Sequence, residues 1–228
     1  MNQAKPYILF GGRFTRAQIT EMVFAEGEID YELREVDMLA NQHRSEEYLH
    51  INPTGLIPVL ITPEGQNLYE THAINLYICD RHDLTHLAPA ASDPDRGLFL
   101  SGLFYLATEL EPAMKRFYYP HRYTPKPEFE NKVKDIAWSH ILDSLNVIES
   151  KVSNHGPYYL GDRYSLIDLS LAYWLNPLWS RLGESNFPYL FENGNLVNNR
   201  SCLQGFKENQ TKASKEYADL QNIGKGVQ

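Results

Sequence analysis

The pattern of the chain predicts two parts: an α/β part over residues 1–84 and an all-helical part over 92–228, joined by a linker at 85–91. Three observations carry that division. Up to residue 84, short apolar runs punctuated by glycine and proline alternate with stretches of helical period. Between Arg81 and Ala91 the histidines, proline and alanines hold no sustained period, and from Ser92 onward every stretch reads as helix or loop.

Each element has a local reason. Tyr7-Ile8-Leu9-Phe10 reads as a short buried strand that stops at Gly11-Gly12. The helix from about Thr15 to Glu26 sets Ile19, Met22 and Val23 on one face and Gln18 and Glu21 on the other, and Gly27 closes it. Tyr31 and Leu33 alternate on a second strand, and the charged 41–50 segment reads as a surface helix. Val59–Ile61 and Asn67–Tyr69 form a hairpin around Thr62-Pro63-Glu64-Gly65, whose proline and glycine suit a type I turn. Thr71 then caps a helix with the stripe Ile74, Tyr77 and Ile78, completing a β-α-β-α-β-β-α order.

In the helical part, Ser92-Asp93-Pro94-Asp95 is a Ser-x-x-acid box opening a helix to about Tyr118. A Pro- and Tyr-rich loop at 119–127 separates it from a long helix through Val152. Ser165 and Asp168 form a second capping box, which is structural. Thr211 to Gln228 is polar enough to fray or to pack loosely across the molecule.

Composition excludes several classes of function. A net charge of −8 leaves no basic stripe to release counterions, which argues against nucleic acid and anionic membrane surfaces as partners. No apolar leader precedes the first strand and no apolar run is long enough to span a bilayer, so the expected location is cytoplasmic. Cys79 and Cys202 have neither metal-type nor Cys-x-x-Cys spacing and read as free thiols. His82 and His86 stand at i and i+4, but no third ligand accompanies them, so no metal is expected.

Function enters through Asn52-Pro53-Thr54-Gly55-Leu56-Ile57-Pro58-Val59-Leu60. Pro58 gives no N–H to a ladder and pushes Ile57 into an extended conformation. A cis Ile57–Pro58 bond would turn the Ile57 backbone outward, where an extended peptide-like ligand could pair with it; a trans proline would merely begin a strand. At the following helix, unpaired N–H groups and the Thr71 hydroxyl can hold a carboxylate while Glu70 holds an ammonium, the grip an α-amino-acid head needs. A plain helix cap beside an exposed glutamate is the other reading of that pair.

Asn-Pro-x-Gly-x-Ile-Pro-x-Leu followed by Glu-Thr-x-Ala-Ile resembles the glutathione-binding half of the cytosolic, bacterial-type glutathione transferases. The resemblance implies a thioredoxin-like first domain with an all-helical second domain, and covers about residues 5–206. It implies glutathione as co-substrate, with Ile57 and Pro58 at its cysteinyl backbone, Glu70 and Thr71 at its γ-glutamyl end and His43 at its glycyl carboxylate. The Gly161-Asp162-x-x-Ser165-x-x-Asp168 element matches the family's helix-initiating box. A homodimer and a small-molecule electrophile as second substrate are also implied.

The thiol-activating residue departs from the family pattern. With Arg16-Ala17 as the reference, Phe10 stands where some classes carry tyrosine, and Gly11, Gly12 and Arg13 stand where others carry serine or cysteine. Tyr7 lies on the opposite strand face and reads as core. Arg13, Thr15 and the N–H groups opening the first helix remain in reach, so the catalytic expectation is Arg13 or Thr15; a surface charge and a helix cap are the equal alternative. For the electrophile, Tyr105, Phe117, Tyr118, Tyr119 and Tyr123 offer an aromatic surface, and Arg116 and Arg122 an anion contact, unless that cluster is interdomain or dimer core. Two functions follow: a transferase or peroxidase acting on small apolar or aromatic electrophiles, or a glutathione-binding regulatory protein.

Overall fold

The computed structural model describes residues 5–12, 15–38 and 40–224. Its α/β part runs β1 (Tyr7–Gly11), α1 (Ala17–Glu26), β2 (Tyr31–Glu35), α2 (Glu46–Ile51), β3 (Val59–Ile61), β4 (Asn67–Tyr69) and α3 (Thr71–Arg81), the order the sequence predicts. The sheet order is β2-β1-β3-β4, with β1 and β2 parallel and the other pairs antiparallel. Alternation along β1 decides which helix covers which face. Leu9, opposite Leu33 and Leu60, packs with Ile19, Met22 and Ile78 from α1 and α3. Phe10 points the other way, into a small cluster with Val36, Tyr48, Ile57 and Val59 under α2. This is a thioredoxin-like sheet covered on both faces.

The helical region follows as α4 (Arg96–Tyr105), a wide π turn (Leu106–Leu110), α5 (Glu111–Tyr118), α6 (Glu130–His155), α7 (Leu166–Leu175), α8 (Trp179–Leu182), α9 (Pro188–Asn198) and α10 (Phe206–Gly224). The wide turn falls where Pro112 offers no N–H to the carbonyl four residues back, which favours a local change of winding. Gly102 lets the chain pass close by: a Cβ there would sit 2.5 Å from the Tyr159 ring. At the start of α7 the capping box is formed. Ser165 Oγ accepts from Ile167 N–H, and Asp168 Oδ2 accepts from the Ser165 N–H and hydroxyl, each at 2.9 Å. Asp168 Oδ1 also takes the Tyr159 N–H and the Asn193 amide, so one buried carboxylate ties three segments together.

Several local expectations are corrected. Helix α1 begins at Ala17 and not at Thr15, because Gly12–Thr15 closes a turn of its own with Thr15 N–H on Gly12 O. Ser92 caps nothing among the bonds of the described residues: α4 begins at Arg96, and Asp93 instead accepts from the Asp95 N–H and the Arg163 guanidinium. The C-terminal stretch is a helix that docks, since Asn176 donates to the buried Gln210 side chain and Ala213 is buried. Cys79 and Cys202 are free. No helix of the described residues is long and apolar enough to cross a membrane, and no group of three or more His, Cys, Asp or Glu among them could hold a metal.

The seam between sheet and helices is fastened at Glu111, which is 2% exposed. Its carboxylate meets the Arg16 guanidinium from the α1 entrance, accepts from Trp174 Nε1 at 3.1 Å, and lies 3.0 Å from His72 Nε2 without an aligned hydrogen bond. Burial opposes the charge, but the His72 and Arg16 contacts and the Trp174 bond outweigh it and hold the carboxyl down at about 2.

Two outcomes are expected in urea melts. Ser165→Ala lowers stability by about 1 kcal/mol through loss of the cap. Glu111→Gln costs about 3 to 5 kcal/mol at neutral pH, because Arg16 is left buried without its counter-charge. The carboxyl's folded pKa lies below its unfolded 4.5, so its contribution is full above that pH and drains as pH falls towards 2. Over that window the gap between wild type and Glu111→Gln narrows; a gap constant with pH would show that Glu111 is not ionised in the folded state.

Candidate functional site

The site begins where β3 begins. Ile57–Pro58 is cis, and among the described residues no hydrogen bond engages the Ile57 backbone. The loop before it is held from behind: Tyr48 Oη and Asn52 Nδ2 both donate to Leu56 O, at 2.7 and 2.8 Å. Gly55 turns the chain at φ +61, a conformation open to glycine. His43, on a 3-10 turn at Gln42–Arg44, is buried, with Nδ1 unpartnered. Burial first, then the charges of Arg44 and Arg122, lower its pKa, so at neutral pH it is an uncharged donor or acceptor. Ile57 and His43 share a cavity of about 380 Å³ between the sheet and the helical region.

A second cavity adjoins it and holds Glu70, Thr71 and His72 at the start of α3, with Arg16 and Lys115 lining both. The expectation that Thr71 is the helix cap is corrected: Glu70 occupies the cap position, and Thr71 is the first helical residue. Its hydroxyl is buried without a partner, so it is not spent on a backbone N–H. Glu70 has φ +72 and ψ 114, a region that strains any residue with a Cβ. The result is an exposed carboxylate beside free helix N–H groups and an unpaired hydroxyl, the two halves of a zwitterion receptor.

At the other expected centre, Phe10 is buried and has no hydroxyl to offer. Thr15 lines the cavity of Ile57 and His43, and its hydroxyl donates to Gly12 O at 2.8 Å. In that rotamer it can accept a hydrogen bond but not donate one. Arg13, the other candidate, lies outside the described residues. Tyr7 is core and stands 2.9 Å from His82 Nε2. From the helical region, Tyr173 Oη donates to Thr15 O at 3.2 Å, bringing an α7 side chain to the α1 entrance.

The aromatic wall is partly as expected. Tyr119 lines the cavity of Ile57 and His43 with Tyr118 and Tyr123, whereas Tyr105 and Arg116 line neither cavity. Helical phase is the reason: Lys115, Tyr118, Tyr119 and Arg122 recur at three- and four-residue spacing on the cavity side, and Arg116 is rotated away. Tyr105 packs against the helical core instead. Sequence reasoning missed Arg16, Glu111, Lys115, Tyr173 and Trp174. Glu111 left a signal, since a carboxylate on the stripe Leu103, Leu106, Leu110 and Met114 has to be paired in a folded chain.

Residues 5–80 match the family model "Glutathione S-transferase, N-terminal domain". The chain is 28% identical to a glutathione S-transferase 2 of Anopheles gambiae over 171 residues, which cover 72% of this chain and 75% of that one. It is 27% identical to an uncharacterized GST-like protein of Escherichia coli K12 over 155 residues, 68% and 73% of the two chains. Among solved structures it is similar to a glutathione transferase homologue from Sulfitobacter with bound glutathione, at TM-score 0.78 and 21% identity over 89% of this chain and 97% of that one. A glutathione transferase of Phanerochaete chrysosporium in complex with oxidized glutathione has the same score and identity, over 96% and 99%. The N-terminal region thus matches the glutathione S-transferase N-terminal domain, and the chain as a whole shares the fold of these solved glutathione transferases.

Proposed function

We propose that the protein is a glutathione transferase that binds glutathione across the two adjoining cavities and directs its thiol at a small aromatic electrophile. Family and fold support a glutathione-binding, transferase-type function in general. The observation that carries the finer reading is the strained Glu70 beside the buried, unpaired Thr71 hydroxyl. A non-glycine residue with that backbone and an orphaned buried oxygen both cost stability, and a ligand's ammonium and carboxylate would repay them at once. In this reading Ile57, after which Pro58 turns the chain, pairs with the cysteinyl backbone, and neutral His43 with Arg44 meets the glycyl carboxylate. Detoxification in the cytoplasm, by a homodimer, is the setting that goes with it.

Thiol activation rests on the α1 entrance. A thiol of pKa ~8.5 is only about 3% ionised at neutral pH, and a shift of two units needs about 2.7 kcal/mol. The free N–H groups of the α1 entrance, with Arg13 or a Thr15 hydroxyl rotated off Gly12, would supply it through one or two charge-assisted bonds. Attack forms a carbon–sulfur bond, the leaving group departs with its electron pair, and the thiol proton is lost to solvent. The Thr15 hydroxyl's present commitment to Gly12 O favours a second reading, in which the chain binds glutathione without activating it.

An ultraviolet titration of the thiolate in the complex separates the two. A bound pKa near 6 to 7 is expected from that two-unit shift; saturable binding with an unshifted pKa leaves the binding reading alone, and no binding sinks both. A second outcome follows from the Glu70 backbone. Glu70→Gly relieves it and raises stability by about 1 kcal/mol, net of the added flexibility of the unfolded chain. The same change weakens glutathione binding about tenfold, as Thr71→Ala does, through one lost charge-assisted bond each. Thermal melts and calorimetric titration check the pair.

A further inference from the structure

We infer that the electrophile this site accepts is an aromatic anion, its carboxylate or equivalent group held between Lys115 and Arg122. The inference rests on the proposed transferase function and names the substrate class of the same site.

In a chain of net charge −8, the cavity shared by Ile57 and His43 is lined by Arg16, Arg44, Lys115 and Arg122 and by no aspartate or glutamate. Arg16 is neutralised by Glu111. Arg44 sits beside His43, where the glycyl carboxylate of glutathione would lie, and the γ-glutamyl carboxylate has its seat at Thr71. Lys115 and Arg122 remain on that lining, with Glu111 and Glu70 acting on Lys115 from the adjoining cavity. Lys115 is half-buried; burial first, then the neighbouring Arg16, lowers its pKa against the opposing pull of Glu111 and Glu70. The Arg122 guanidinium carbon stands over the Tyr119 ring, 4.3 Å from its centroid, a contact that does not consume its N–H donors.

The walls suit the rest of such a molecule. Tyr118, Tyr119, Tyr123 and Trp174 surround the space, and about 380 Å³ is in the range that holds one small ligand. A neutral aromatic would fill the walls and cut the half-buried Lys115 off from water; an aromatic anion satisfies it and can also reach the exposed Arg122.

The probes are two ready-made products, S-(2,6-dinitrophenyl)glutathione and the same conjugate with a carboxylate para to sulfur. They differ in one charge, and because they are ligands they report whether or not the protein turns over. Calorimetric titration at low salt is expected to give the carboxylated conjugate at least a tenfold lower Kd. That ratio should fall towards one in Lys115→Met and in Arg122→Gln, reach one in the double variant, persist in Lys115→Arg, and shrink with added salt. Equal affinities in the wild type overturn the inference. So does a double variant that loses glutathione itself as strongly as the carboxylated conjugate, for then the cations serve glutathione. If neither glutathione nor either conjugate binds, the transferase reading has failed and takes the inference with it. If all bind with the expected ratio but the thiol pKa is unshifted, the substrate class stands and only activation is refuted.

Discussion

The contact of Arg16 with Glu111 is the constraint on which the rest depends. A carboxylate this deeply buried would be untenable alone, and a guanidinium facing it from the sheet side would be equally costly. Bringing the two together fixes the α1 entrance against α5, and Trp174 extends the lock to α7. Both cavities lie along this seam and share Arg16 and Lys115 as lining. The shape of the site is therefore a by-product of how two apolar cores solve the problem of one charge pair between them.

Around that lock, strain and unpaired groups are unevenly distributed. Core positions such as Leu9, Ile78 and Leu169 are apolar and fully buried. The orphaned side-chain atoms include those of His43, Thr71 and His72, beside the cavities, and Glu70 adds a strained backbone. A fold that satisfies polar groups as thoroughly as Asp168 does, with four donors on one carboxylate, does not leave others bare for want of chemistry. Other unpaired atoms, at Thr20, Asn75 and Asn193, lie away from both cavities.

Much of the fold was legible because its signals are local. Alternation along Tyr7–Phe10, the turn before Asn67 and the capping box at Ser165 each specify an element within a few residues. Errors came where a local signal had a tertiary competitor. Ser92 looked like a cap, but Asp93 was claimed by Arg163 from seventy positions away. Thr71 looked like a cap, yet the strained Glu70 took that place. In the site, residues carried by contiguous motifs, Ile57, Glu70 and Thr71, could be read from the chain. Arg116 is expected at the cavity and Lys115 lines it instead, because composition does not report helical phase across a change of winding.

That change of winding has a consequence for how the chain could vary. The π turn at Leu106–Leu110 carries about one more residue than an α-helical path would need, and each residue turns a helix by about 100°. Removing that one surplus residue would let the turn close into α-helix with Glu111 still on the seam and Lys115 still in the cavity, whereas removing a second would swing both away together. Lineages of this chain should thus tolerate the loss of one residue in the segment far better than the loss of two: it works as a spacer that holds one residue in reserve.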